Sequence, residues 1–165
     1  AHACAMMARN AAVNQMPLIP LAADLRNREA LPAGRFRLAV SNPPYFAPHA
    51  GAVAAGARGD ARAELTASID DVFAAAERLL QWGGRFCLVY RPDRLAALFA
   101  AATAHGLEPK RLRLVQHTAQ SAPALALLEC RRGGNPGLTV EPPLLLRLDG
   151  GESPDVRRAY FRDKE

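Results

Sequence analysis

The sequence has no apolar run long enough to cross a bilayer as a helix, because Arg, Asp or Pro breaks every such stretch well short of about 18 residues. It has no initiator Met at Ala1, no basic run followed by an apolar segment, and hence no signal peptide within these residues. The start at Ala1 leads to the expectation that the chain begins inside a longer protein. Cysteine is scarce. Cys4, Cys87 and Cys130 form an odd set without C-x-x-C spacing, which excludes a disulfide framework and a zinc ribbon. Cys87 and Cys130 lie in apolar runs and read as buried reduced thiols, which suits a cytoplasmic protein. His2, His49, His105 and His117 show no metal-ligand spacing, so no metal is expected. Lysine is nearly absent, at 2 residues against 19 Arg, and 34 of the 165 residues are Ala. That usage looks like coding bias, so the net charge of +5 permits a polyanionic partner without demanding one. No G-x-G-x-G or G-x-G-x-x-G turn occurs.

What is present suits one domain of alternating strands and helices. Ala1 to Asn14 reads as an amphipathic helix with Cys4, Met7, Ala8 and Ala11 on one face. Leu18–Ala22 and Phe36–Val40 read as buried strands that end at Asp24 and at Ser41-Asn42-Pro43-Pro44. Residues 47–66, rich in Ala, Gly and Arg, read as a mobile loop. From Ser68, with Asp70 and Asp71 in the first turn, Val72, Phe73, Ala76, Leu79 and Leu80 repeat at helical spacing up to a stop at Gly83-Gly84. Further strands are expected over Arg85–Tyr90, around Leu112 and Leu114 with Arg113 and Val115 outward, and over Ala124–Cys130. Pro92 opens a helix that closes at Gly106, with Leu95, Leu98, Phe99 and Ala102 inward. Two prolines, Pro142 and Pro143, make residues 138–165 an extended arm, in which Ser153-Pro154 starts a short helix. The expected class is an open α/β sheet with helices on both faces.

The chemistry concentrates at Ser41-Asn42-Pro43-Pro44-Tyr45-Phe46, beyond the carboxyl end of a buried strand, where open α/β sheets place their sites. Consecutive prolines fix their own φ and push the preceding residue toward extended backbone, so Asn42 is held rigidly. The Asn42 side-chain oxygen and the Pro43 carbonyl can converge on one amino group. Two acceptors on a conjugated amine favour a pyramidal nitrogen whose lone pair is free for an electrophile. Tyr45 offers a flat ring for stacking, worth roughly 1–3 kcal/mol against a nucleobase. The plainer alternative is a turn that merely ends the strand.

This stretch resembles the (Asn/Asp/Ser)-Pro-Pro-(Tyr/Phe/Trp) motif of class I S-adenosylmethionine-dependent methyltransferases that act on planar amino groups. More closely, the chain is similar to the bacterial tRNA(Val) adenine-N6 methyltransferases. The likeness runs from Ala8-Arg9-Asn10 through Ala23-Asp24-Leu25, Ala61-Arg62-Ala63-Glu64 and Leu79-Leu80-Gln81-Trp82-Gly83-Gly84-Arg85-Phe86. It ends at Arg131-Arg132-Gly133-Gly134-Asn135-Pro136-Gly137-Leu138 and Pro142-Pro143-Leu144.

The resemblance implies a Rossmann-like methyltransferase sheet lacking its first two strands, in a single partial domain over residues 1–165. It implies S-adenosylmethionine as cofactor, with Asp24 at its adenine amino group and Leu25 beside the ring. Asn42, Pro43, Pro44 and Tyr45 would be catalytic, with Asn42 also near the cofactor. An N-cap for a helix over residues 25–30 is the other reading of Asp24. Phe46, Arg58, Arg62, Arg91 and Arg94 are candidates for substrate or RNA contact, and solvated surface charge is the alternative for the arginines. Arg111, Arg113, Arg131 and Arg132 read as surface charges.

The function implied is adenine-N6 methylation of tRNA. Methylation of a release-factor glutamine is the runner-up, since that family also carries Asn-Pro-Pro-Tyr, and a non-catalytic RNA-binding remnant is a third reading. Without the glycine-rich turn, residues 1–165 alone are expected to bind cofactor poorly and to be inactive. The absent strands leave sheet edges expected to self-associate.

Overall fold

A computed structural model describes residues 2–43 and 67–162. Its organising element is β2, Leu80–Tyr90, in which Phe86, Leu88 and Tyr90 are buried while Arg85, Cys87 and Val89 point to the other side. That alternation follows from the two-residue period of a strand. β1, Phe36–Ser41, pairs with it in parallel, Val40 opposite Cys87. On its other side lies β4, Pro123–Arg132, antiparallel to β2 and to β3, Leu107–Gln116. The order is β1-β2-β4-β3, continued by two short pieces that run parallel to β3: β5, Thr139–Val140, and β6, Leu144–Leu145. Pro142 and Pro143 separate those pieces, as expected where a residue has no N–H for the ladder. β7, Arg147–Leu148, and β8, Gly151–Glu152, form a separate hairpin before α4, Pro154–Ala159. In the order of the chain, α1 is His2–Val13, α2 is Ile69–Leu79 and α3 is Leu95–Ala104, the last entered through a 3-10 turn at Pro92–Arg94.

One core joins α2 and α3 to the sheet. Phe73 and Phe86, both essentially inaccessible, meet edge to face at 5.2 Å between ring centroids. Leu80, Leu98, Ala102, Leu107, Leu128 and Cys130 close around them. Arg132 crosses from β4 to pair with Glu77 and donates to the Leu80 carbonyl, tying the end of α2 to the sheet. Arg78 donates to the carbonyls of Arg28 and Leu31, both at 3.1 Å, and so anchors the irregular segment before β1.

α2 begins in a reciprocal cap. The Ser68 hydroxyl accepts from the Asp71 N–H at 3.1 Å, while the Ser68 N–H and hydroxyl both donate to the Asp71 carboxylate at 2.8 Å. These donors hold the Asp71 carboxyl below its usual range, the Ser68 backbone N–H contributing most. Ser68→Ala is expected to cost about 1 kcal/mol in urea unfolding at pH 7. A carboxylate favoured in the folded state stabilises fully above its unfolded pKa of about 3.9 and ceases to do so as pH falls through the lower folded value. Ser68→Ala keeps the backbone donor and removes only the hydroxyl, so the wild-type advantage should shrink by the hydroxyl's share when the same unfolding is measured near pH 3.

Several expectations are corrected. Leu18–Ala22 is not a strand: it is irregular, and Ile19 is 92% exposed. A strand needs a neighbour for its backbone groups, and no described strand lies beside it. Gly83-Gly84 does not stop α2, which ends at Leu79; both glycines lie inside β2. Gly83, with φ +75°, sits in an irregularity where Phe36 faces Leu80 and Leu38 already faces Arg85. β3 begins at Leu107, earlier than expected, and Val115, expected outward with Arg113, keeps that side of the strand but is buried to 5% exposure where Leu144 of β6 pairs with it. On α1 only Ala11 is buried, so Met7 and Ala8 do not form the inner face read from spacing. The sequence led us to expect helices on both faces; among the described residues, the core-forming α2 and α3 cover one.

Candidate functional site

β1 delivers Ser41, Asn42 and Pro43 to the carboxyl end of the sheet. Pro43 is buried and Asn42 exposed, an arrangement in which the ring is clamped and the amide is presented. Beside them a cleft of about 550 Å³ opens on the sheet face that α2 and α3 leave uncovered. Its floor is Val40, Cys87, Val89 and Leu127, and Asn42 stands at its rim. Sequence reasoning missed this floor, although the alternation in Arg85-Phe86-Cys87-Leu88-Val89-Tyr90 carried the signal.

The far wall is charged. Arg111 pairs with Glu129 at 3.3 Å and Glu141 at 2.6 Å, while Arg113 pairs with Asp155 and donates to the Pro142 carbonyl at 3.0 Å. These contacts fasten residues 141–155 to β3, so Arg111 and Arg113 are not idle surface charges. Burial pushes the Cys87 thiol up, and Glu129 adds to the effect. Cys130 is pushed up to about 12, chiefly by burial. Neither presents a thiolate near neutral pH, so neither suits nucleophilic catalysis. Among the described residues no three His, Cys, Asp or Glu side chains come together to hold a metal ion.

Asp24 lies on the surface. Its carboxylate accepts from the Arg26 backbone N–H at 2.9 Å and pairs with the Arg26 guanidinium at 2.6 Å. The side-chain bond to Arg26 is the main cause of its low pKa, about 2. No helix follows over residues 25–30, so the N-cap alternative gives way to a local turn. Arg26 also draws Asp71 slightly downward, which puts this turn within electrostatic reach of the start of α2. Leu25 is 45% exposed. Arg91 is engaged by Asp93 at 2.8 Å. Pro44, Tyr45, Phe46, Arg58 and Arg62, together with the loop expected over residues 47–66, lie outside the described residues.

A predicted O-methyltransferase from Agrobacterium tumefaciens superposes with a TM-score of 0.62 at 22% identity, covering 82% of this chain and 56% of that one. The chain has the class I methyltransferase fold. No family model matches it. Among curated proteins, the tRNA1(Val) (adenine(37)-N6)-methyltransferase of Dickeya chrysanthemi (strain Ech1591) is 35% identical over 134 residues, 78% of this chain and 52% of that enzyme. The enzyme of the same name from Serratia proteamaculans (strain 568) is 33% identical over 126 residues, 76% of this chain and 48% of that enzyme. This methyltransferase-fold chain thus spans about half the length of the curated relatives it matches.

Proposed function

We propose that this chain is the acceptor-side part of an S-adenosylmethionine-dependent methyltransferase that modifies adenine N6 in tRNA, in the cytoplasm. Identity of 33–35% with two enzymes of that name, over about three quarters of the chain, carries the reading. The position of Asn42 and Pro43 at the carboxyl end of β1, beside a cleft, supports it. Asn42 Oδ1 and the Pro43 carbonyl accept the two hydrogens of the target amine, localising its lone pair, while Tyr45 stacks on a base taken out of its loop. Positioning and aligned dipoles supply the catalysis.

The residues present fit this acceptor side better than they fit a whole cofactor. S-adenosylmethionine, when bound, supplies an electrophilic methyl group, and Asp24 can accept from its adenine amine with Leu25 beside the ring. The Asp24 carboxylate is already held by Arg26, and the sequence has no glycine-rich turn. Residues 1–165, which we read as one partial domain, therefore supply the acceptor side of the reaction and do not by themselves complete a cofactor site. No helix among the described residues is long and apolar enough to cross a membrane. β1, at the sheet edge among the described residues, exposes Phe36, Leu38 and Val40, and this edge favours self-association.

The direct test is transfer of tritiated methyl to unmodified tRNA by the longest natural form of the protein, followed by nucleoside digestion. Label in N6-methyladenosine is expected; label in a release-factor glutamine, or in no acceptor, refutes the reading.

A further inference from the structure

At the end of the sheet opposite Asn42, the first residues of β2 carry Trp82, the single tryptophan of the chain. It is 77% exposed, an unusual state for the largest apolar side chain. It is nonetheless fixed. A Cβ placed on Gly133 would lie 2.2 Å from the indole Cζ2, so the ring rests directly on glycine backbone. Gly133 has φ +62° and donates to the Gly106 carbonyl at 3.0 Å, which makes that support rigid. One side of the indole is seated and the rest faces outward.

Beside it, Arg85 on β2 stands directly opposite Arg131 on β4. The Arg131 guanidinium lies 3.5 Å from the Cβ position of Gly83, next to Trp82. Like charges facing each other across a ladder are unfavourable. The far-strand arginines Arg111, Arg113 and Arg132 each have a carboxylate partner, yet among the described residues Arg85 and Arg131 are in no ion pair. Glu108, facing Arg131 on β3, makes none with it. A seated aromatic face beside two exposed, unneutralised guanidinium groups is the composition that receives a base and its phosphates.

We infer that Trp82, Arg85 and Arg131 form a contact site for single-stranded RNA, with one base stacked on the free indole face and the neighbouring phosphates held by the two arginines. The choice of RNA over an acidic protein rests on the proposed tRNA substrate, and Trp82 lies toward the end of the sheet opposite Asn42.

The single tryptophan makes the test direct. The full chain is titrated with a ten-residue uridine RNA, an abasic strand of equal length and polyglutamate, reading tryptophan fluorescence. Quenching by the uridine strand is expected, with little from the other two. Read instead by the anisotropy of a fluorescein-labelled uridine strand, which does not need the tryptophan, Trp82→Ala should weaken binding about ten-fold while leaving its salt dependence unchanged, and Trp82→Phe should retain most of the affinity. Arg85→Glu with Arg131→Glu should weaken binding at least about ten-fold and reduce the salt slope by about 1.4, the value for two single-strand phosphates.

Circular dichroism matching wild type shows that each variant folds, and Trp82→Phe, which keeps an aromatic ring on Gly133, carries the test if Trp82→Ala does not. Equal quenching by the abasic strand or polyglutamate, or silent fluorescence at saturation, overturns the inference. Quenching without methyl transfer by the longest natural form would leave this contact standing and remove the enzymatic reading; transfer by that form with silent Trp82 would do the reverse.

Discussion

Asn42→Ala, made in a form of the protein that transfers methyl groups, is expected to lower transfer to tRNA by at least about two orders of magnitude, the scale of losing one aligned dipole at a reacting centre. Cofactor affinity should change by less than about three-fold, because the amide is assigned to the acceptor amine. The physical basis is the contrast at the end of β1, where Pro43 is buried and Asn42 is exposed. The ring anchors the backbone, and the side chain meets the substrate. Asn42→Asp separates the acceptor role from the shape: it keeps an oxygen at the same reach, so it should retain more transfer than alanine. Single-turnover rates with calorimetric cofactor titration check both variants, and wild-type transfer by Asn42→Ala would remove the assigned role.

Phe73→Ala should have the largest effect on stability. Phe73 is fully buried, meets Phe86 at 5.2 Å, and sits where α2 crosses β2. Truncating a buried phenylalanine costs about 3–5 kcal/mol through lost transfer energy and the cavity left behind. Domains of this size are stable by about 5–15 kcal/mol, so the variant should approach the unfolding threshold at 37 °C. Urea unfolding should show the midpoint falling with little change in slope. Phe73→Leu, which refills most of the volume, should recover more than half of the loss. A midpoint within error of wild type for Phe73→Ala would mean that the core lies elsewhere.

Sequence reasoning reached what short-range rules decide. Ser68 three residues before Asp71 announced the start of α2, and Ser41-Asn42-Pro43 announced the end of β1, because caps and prolines act on their immediate neighbours. It failed where a segment depends on a partner. Leu18–Ala22 has the composition of a strand, but without an adjacent ladder its amides stay irregular. Gly83-Gly84 has the composition of a helix stop, yet the pairing with β1 and β4 draws both residues into β2. The place of Ser41, Asn42 and Pro43 at the carboxyl end of β1 was legible because a proline acts on its immediate neighbours; the rest of the hexapeptide lies outside the described residues. The cleft floor was legible only in part: the alternation along β2 marks Cys87 and Val89, but Val40 and Leu127 come from neighbouring strands whose register no local pattern specifies.

The strand order also sets a schedule for the nascent chain. β3 and β4 are joined by residues 117–122 and close a short loop, whereas β1 must find β2 across residues 42–79. Synthesis at about 5–20 residues per second takes about 5–18 s to pass from Ser41 to Arg132. During that interval Phe36, Leu38 and Val40 have been made, but the antiparallel pair that completes the sheet has not. Among the strands of this sheet, β1 is thus the one that waits longest for the sheet to be complete, its apolar side chains uncovered in the meantime.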